Sequence, residues 1–519
     1  MRRLAAALLA FFALLLPTGA GADPADIDAA ARGVVRVIIV EVDGTTLTPI
    51  SHGTGFAVSP ERIVTNAHVI EEAREDPDLA IGIVPSDGDE AVYARIVAVS
   101  DRNDLALLAT TKPMRLPPLT ISGNPAEDSG AVVSVGYPMN VDRAQGLRAG
   151  DIFQAQPPVK ASGSLAGRRP SRDFDTLLHT APIARGNSGG PLLDPCGRVL
   201  GVNSFGAESG GSDAEFYFAI STRELLPFLR ANGVSPAINA MPCRSLADLD
   251  AAEREQAEAQ ARAAQDRAEA EEAALARRRE EAQREIDFAI QDERDNGMAL
   301  TFVLLLVALG AGAFAWLRFE DEEPQAMKIA AGIAIAALVG ALVAWLLRPP
   351  YSQADGRLQD LLREEMAAGD TGALPSQAAA GSGKLVCTLQ PARSRVTGAA
   401  EQTVPFEFSP EGCVNGRTQY GADNGAWSRV FVPNTDAAVS VNRFDPASGE
   451  YRVERYLLGR DAMAAARQAR GEYQAPACDA GEEAIREFGS KQAAVLSLLP
   501  QRPNERLVYR CSSAETSQP

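Results

Sequence analysis

The distribution of apolar and polar positions changes character along the chain, and each change predicts a different architecture. Between Ile27 and Leu229, short β-branched runs at 34–42, 55–58, 63–64, 91–99, 105–109, 131–135, 199–202 and 216–220 are separated by Gly, Pro, Asn and Asp. Many short strands with turn residues between them predict an all-β barrel or sandwich rather than β/α alternation. From 245 to 296 the chain has no Pro and no Gly, and Ala, Glu, Arg and Gln dominate. These are strong helix formers, and Ser245 with Asp248 has the spacing of a capping box. A helix over 245–296 would be about 75 Å long. Its sparse leucines and isoleucines fit a solvated spacer better than a sustained coiled coil.

Two stretches free of charge follow, at 298–317 and 329–347, each close to the length that spans a bilayer. Neither has a polar face, and Trp316 and Trp345 stand near their ends, where amphipathic rings favour the membrane interface. The loop of about ten residues between them predicts a hairpin with both flanks on one side. In the second stretch Gly332, Ala336, Gly340 and Ala344 recur every four residues. That spacing either offers a smooth face for a neighbouring helix or is incidental to an Ala-rich segment. Past Pro349 and Pro350 the chain turns polar, and 349–383 reads as a linker. From 384 to 515, strand-like runs at 404–408, 430–432, 438–441 and 451–458 and a helical run at 462–470 predict a small β-rich domain with some helix.

The N-terminus changes the picture of location. Arg2 and Arg3, an apolar run at 4–16, and small residues at 20–22 predict a secretory signal peptide over 1–22. Export would place the β regions outside the cytoplasm and the hairpin loop inside, which is the arrangement of a membrane protein with extracytoplasmic domains. The six cysteines fit that compartment. None forms a C-x-x-C pair, so structural disulfides are expected rather than a zinc or redox site. Pairing within each region, Cys196 with Cys243 and the remaining four among themselves, follows if the domains fold separately, although sequence alone leaves every connectivity open. The net charge of −18 and the lack of a basic stripe argue against a nucleic-acid partner.

Three segments carry candidate chemistry: Val64-Thr65-Asn66-Ala67-His68, Asp101-Arg102-Asn103-Asp104-Leu105-Ala106-Leu107-Leu108, and Arg185-Gly186-Asn187-Ser188-Gly189-Gly190-Pro191. A serine nucleophile needs a base for its proton, an acid to orient that base, and donors for the oxyanion. Together with Gly53-Thr54-Gly55-Phe56, these segments resemble the trypsin-like serine peptidases, especially the exported bacterial HtrA (Deg) branch, over roughly residues 33–229. The resemblance implies two six-stranded antiparallel barrels with the cleft between them. It implies His68, Asp104 and Ser188 as the catalytic triad and the Gly186 and Ser188 amides as the oxyanion hole. It prefers Asp104 to Asp101 because the triad acid immediately precedes the Leu-Ala-Leu-Leu strand. His52 and His179 read as structural.

Two departures limit the resemblance. Asn187 stands where digestive trypsin-like enzymes carry Asp, as in the HtrA branch, so activation by a new N-terminus has no evident partner. A PDZ module is not recognisable after the protease region, where the charged helix stands instead. Residues 181–184 and 201–205, with Pro182, Ile183, Asn203 and Ser204, are expected to shape the primary pocket, and they supply no acid. A small or medium apolar substrate residue is therefore expected, rather than Lys or Arg. The expected function is a membrane-anchored serine endopeptidase acting on protein substrates, with no cofactor and no metal. The resemblance also hints at a homo-oligomer. The alternative is a silent peptide-binding scaffold or an envelope sensor signalling through the hairpin.

Overall fold

The computed structural model describes residues 24–514, apart from residues 45, 89–90, 125–127, 171–173, 208–214, 321–323, 349, 351–355, 361–362, 364–381 and 424. The expected signal peptide and most of the expected linker lie outside the described residues. The chain divides into two compact units, residues 1–253 together with 378–519, and residues 254–377.

In the first unit, a short helix α1 (Pro24–Ala31) precedes six strands: β1 (Val34–Asp43), β2 (Thr46–Ser59), β3 (Arg62–Thr65), β4 (Leu79–Val84), β5 (Val92–Ser100) and β6 (Leu105–Thr110). They close into an antiparallel barrel in the order β1-β2-β3-β6-β5-β4. The unbroken apolar run of β6 has a physical reason. Ala106 and Leu108 pack inside this barrel with Val35, Val37 and Ile63, while Leu105 and Leu107 face a second core that also holds residues of the next barrel. Successive side chains point to opposite faces, so a strand covered on both faces loses the usual polar alternation.

The second barrel uses β7 (Gly130–Gly136), β8 (Val159–Arg168), β9 (Thr176–His179), β10 (Pro191–Leu193), β11 (Val199–Gly206) and β12 (Tyr217–Ser221). Its order is β10-β7-β8-β9-β12-β11, closed by pairing of β10 with β11, and two short strands, Ile121–Ser122 and Ile238–Asn239, add in parallel beside β11. Helix α2 (Met139–Ala144) lies in the β7–β8 connection, and helix α3 (Thr222–Ala231) follows β12. Ser221 caps α3 by accepting from the Arg223 amide at 3.2 Å, and Leu225, Phe228 and Leu229 join the inter-barrel core. The double barrel is as expected, but β4, β8 and β9 carry weak sequence signals. In β8, for instance, exposed and half-buried positions alternate and only Leu165 is buried.

The C-terminal part of this unit is a nine-stranded antiparallel sheet centred on Gly383–Leu389 and Glu505–Ser513. An aromatic core of Phe406, Phe408, Phe444, Tyr451 and Tyr509 forms one cluster. A second cluster packs helices Arg460–Gly471 and Glu482–Lys491 against Val439, Val441 and Tyr456. The first helix is expected from sequence and the second is not. Disulfides join Cys387 to Cys511, Cys413 to Cys478 and, in the double-barrel region, Cys196 to Cys243. Pairing is thus within each region. The sheet is docked on the double barrel through a buried ion pair between Asp26 and Arg395, with Asn504 donating to Asp26 at 3.1 Å. Asn239 also donates to the Val396 carbonyl at 2.5 Å.

The capping box at Ser245 forms reciprocally: Asp248 N donates to Ser245 Oγ at 3.0 Å and Ser245 N to Asp248 Oδ2 at 3.4 Å. The helix it starts, α4 (Leu246–Glu320), is 75 residues long and absorbs both the charged stretch and the first apolar stretch without a break. Gly297 stands inside it, because one glycine costs only about 1 kcal/mol against the surrounding helix formers. In the second unit, the apolar end of α4 and α5 (Pro324–Leu346) are long and apolar enough to cross a membrane. Their buried positions are small residues, Thr301, Ala308 and Ala315 on α4 and Ala330, Ala337 and Ala341 on α5. This seam differs from the four-residue stripe seen in the sequence, since Gly332 and Ala336 are exposed. Spacings of seven, and of seven then four on α5, are what a shallow left-handed crossing of two helices presents.

Candidate active site

Barrel closure brings the sequence motifs to one rim. His68 opens a 3-10 turn just after β3, and Asp104 ends the turn that enters β6. β3 and β6 are paired neighbours, so residues 36 apart in sequence become adjacent. His68 Nδ1 lies 3.0 and 2.9 Å from the two Asp104 carboxylate oxygens, and the His68 amide donates to Oδ1 at 3.1 Å. The Asn66 side chain donates to the Asp104 carbonyl at 2.8 Å. Asp104 takes φ of 49°, a left-handed conformation that Asp adopts more readily than most residues. A carboxylate on Nδ1 fixes the tautomer that leaves Nε2 as an acceptor. The His68 side chain remains 45% exposed, so that nitrogen is accessible. Asp101 points elsewhere. Its carboxylate is held by Arg74 at 2.6 Å, and that hydrogen bond keeps it below the usual carboxylate range.

Ser188 comes from the second barrel, on the loop entering β10. Its hydroxyl donates to the Ser204 carbonyl at 3.0 Å rather than to His68. The Ser204 hydroxyl in turn donates to Asp104 Oδ2 at 2.6 Å, joining the two halves of the site. Gly186 and Gly189 have φ of +101° and +86°, which favour glycine. A Cβ on Gly186 would lie 2.2 Å from the Tyr137 carbonyl, and one on Gly189 2.1 Å from the Thr54 carbonyl. The Thr54 hydroxyl donates to the Gly186 carbonyl at 2.6 Å and accepts from the Tyr137 amide at 3.0 Å, while the Thr54 amide donates to the Ser188 carbonyl at 2.9 Å. These bonds use the carbonyls of the loop. Among the described residues the Gly186 and Ser188 amides have no acceptor, so both donors are left for a ligand.

The remaining candidates fall in different places. Pro182 is exposed and Ile183 half-buried on the approach to Ser188. Asn203 is fully buried and donates to Ser134 Oγ and the Pro191 carbonyl, so its side chain braces the second barrel. Ser204, expected in the pocket, instead has its hydroxyl on Asp104. His179 is also fully buried, and burial pulls its pKa down to about 4. His52 lies behind the Ser188 loop, with Nε2 3.2 Å from both the Tyr137 carbonyl and Asp142 Oδ2. Burial, and then the nearby Arg36, lower its pKa. The roles of Ser204 and Thr54 are not legible in sequence, because each acts on a partner 100 or more residues away. Among the described residues, no group of three or more His, Cys, Asp or Glu side chains could hold a metal ion.

Residues 53–202 match the family model of the trypsin-like peptidase domain. Serine protease Rv3671c of Mycobacterium tuberculosis is 32% identical over 202 residues, covering 37% of this chain and 45% of that protein. The probable periplasmic serine endoprotease DegP-like of Brucella suis is 31% identical over 175 residues, covering 33% of this chain and 31% of that protein. The crystal structure of the Rv3671c protease from M. tuberculosis in its active form is 26% identical, with 41% of this chain and 89% of that chain covered and a TM-score of 0.31. The chain thus spans less than half the length of the curated relatives it matches. Within those bounds, the double barrel of this chain is a trypsin-like serine peptidase domain, similar to the proteases of the HtrA and DegP branch.

Proposed function

We propose that this protein is a membrane-anchored serine endopeptidase that hydrolyses exported proteins, with Ser188 as nucleophile, His68 as general base and acid, and Asp104 as the group that orients His68. The observation that carries the reading is the convergence of His68 on Asp104 beside a Ser188 loop whose two amides have no acceptor among the described residues. When a substrate carbonyl enters, Ser188 turns from the Ser204 carbonyl to His68 Nε2 and attacks as its proton moves to the imidazole. Asp104 stabilises the imidazolium, and the Gly186 and Ser188 amides receive the oxyanion. One such donor is worth about 10²–10³ in turnover. His68 then protonates the leaving amine, and water hydrolyses the acyl-enzyme by the same route.

Two apolar helices support anchoring, and the cysteine pairs and relatives support an extracytoplasmic setting for the peptidase and the C-terminal domain, at a bacterial inner membrane. The wall residues Pro182 and Ile183 supply no acid, which favours small or medium apolar side chains at the cleaved bond. The test is labelling of the full chain, in detergent and in lipid, with a fluorophosphonate probe. Wild-type labelling that disappears in Ser188→Ala supports the enzyme. Folded wild-type protein that takes no label in either medium sinks it and favours the peptide-binding scaffold.

A further inference from the structure

A cavity lies away from the triad, where the double barrel meets the C-terminal sheet. Its volume is about 470 Å³, within the range of small-molecule sites, and such sites favour domain junctions. The floor is apolar: Pro60, Leu116, Pro117 and Leu119 come from the barrel side and Ala438 and Leu457 from the sheet. Three guanidinium groups, from Arg32, Arg115 and Arg455, border it together with the acids Asp26 and Asp436. Two of these charges are already matched. Asp26 is committed to Arg395 and Asn504, and Arg455 donates to Glu505 at 2.7 Å. Arg32 and Arg115 remain on the cavity wall beside Asp436, with Asp87 and Asp28 also near Arg32.

Both arginines are held as a ligand site would hold them. Arg32 reaches across to the Leu457 carbonyl at 3.4 Å, and its Nε is buried without a partner. Its burial lowers the guanidinium pKa, offset only in part by Asp87 and Asp28 nearby, so an anion here would add to that compensation. Arg115 has no partner among the described residues, and its backbone has φ of 52°. A left-handed conformation costs a residue with a Cβ about 1–2 kcal/mol, which glycine would avoid. The strain holds a free guanidinium at the cavity mouth, the kind of local cost that persists where a side chain has a task.

We propose that this cavity binds a small organic carboxylate with an apolar body, the carboxylate held by Arg115 and Arg32 and the body lying on the proline and leucine floor. Such a ligand would touch barrel and sheet together.

The test uses the full chain in lipid nanodiscs, titrated calorimetrically with 4-phenylbutanoate and with its uncharged amide, 4-phenylbutanamide, against empty discs. Saturable binding of the acid is expected, with the amide weaker by about tenfold or more, as loss of a charge-assisted hydrogen bond implies. Arg115→Gly should weaken the acid by about as much while leaving the thermal midpoint unchanged or higher, because glycine suits that backbone. Arg32→Gln is a second variant with the same expected direction. Equal binding of acid and amide, undiminished binding by both variants, or no heat above empty discs would overturn the proposal.

Discussion

Two aspartates in the first unit hold a basic partner, with opposite consequences. Asp26 meets Arg395 where the C-terminal sheet docks, and the two side chains are 1% and 2% exposed. Arg395 spends its remaining donors on the carbonyls of Arg244, at 2.8 Å, and Asn504, so that every part of it is engaged. Asp104 meets His68 at the rim of the barrels, 19% exposed against 45%, and only one face of the imidazole is engaged. A buried pair whose donors are all used is a fastener. A pair with one ring nitrogen open to the cleft can pass a proton. The surroundings of the two pairs also differ: Asn504 adds a donor to Asp26 at 3.1 Å, whereas at the rim the Gly186 and Ser188 amides have no acceptor among the described residues.

The sharpest way to break this contrast is Asp104→Asn. Asn tolerates the left-handed backbone, so the fold should survive, while the wrong imidazole tautomer should cut the fluorophosphonate labelling rate by about 10⁴-fold. Labelling within tenfold of wild type would mean that Asp104 is only structural. Arg395→Ala should do the reverse. Leaving Asp26 buried and unpaired should destabilise docking by about 3–5 kcal/mol, read as faster hydrogen exchange in α1 and in Glu505–Ser513. The labelling rate per folded molecule should stay unchanged.

His179 sharpens the comparison through pH. Its folded pKa of about 4 lies below the ordinary value of 6.5, so between these pH values the unfolded chain binds the proton and the folded chain does not. The stability His179 permits is full above about pH 6.5, declines as pH falls, and is lost by about pH 4, a change of about 3 kcal/mol. Thermal midpoints of wild type and His179→Gln, measured from pH 7 to 4.5, should converge as pH falls; parallel curves would show that His179 does not titrate in this way. The smallest effect is expected from Ser204→Ala, which removes one of the donors to Asp104. A labelling rate lowered by about tenfold is expected, with an unchanged thermal midpoint. A loss as deep as that of Asp104→Asn would make Ser204 an equal member of the site.

Much of this was legible in the chain. The runs at 34–42 and 105–109, the capping box at Ser245, and the two charge-free stretches are local patterns, and hydrogen bonding and burial act on them locally. The motifs that carry the proposed triad were legible for a related reason. His68 and Asp104 stand at the ends of paired strands, and the Ser188 loop needs glycines whose φ values few other residues take. The helix at Glu482–Lys491 and strands such as β8 were not, because their patterns are short or half-exposed. The four-residue stripe on α5, which sequence left open as a packing face or a coincidence, has Gly332 and Ala336 exposed, since periodicity marks a face without saying which face meets a neighbour.

What the sequence determined by itself was the order of the elements, the membrane-length helices and the motifs that supply the candidate reacting groups, all written in spacing and residue type. What only tertiary structure decided was partnership: Ser204 on Asp104, Thr54 on Gly186, and Arg395 on Asp26, at separations of 100, 132 and 369 residues. A hydrogen bond acts over about 3 Å. Barrel closure and domain docking bring such distant residues within that reach, and no local pattern in the chain records it.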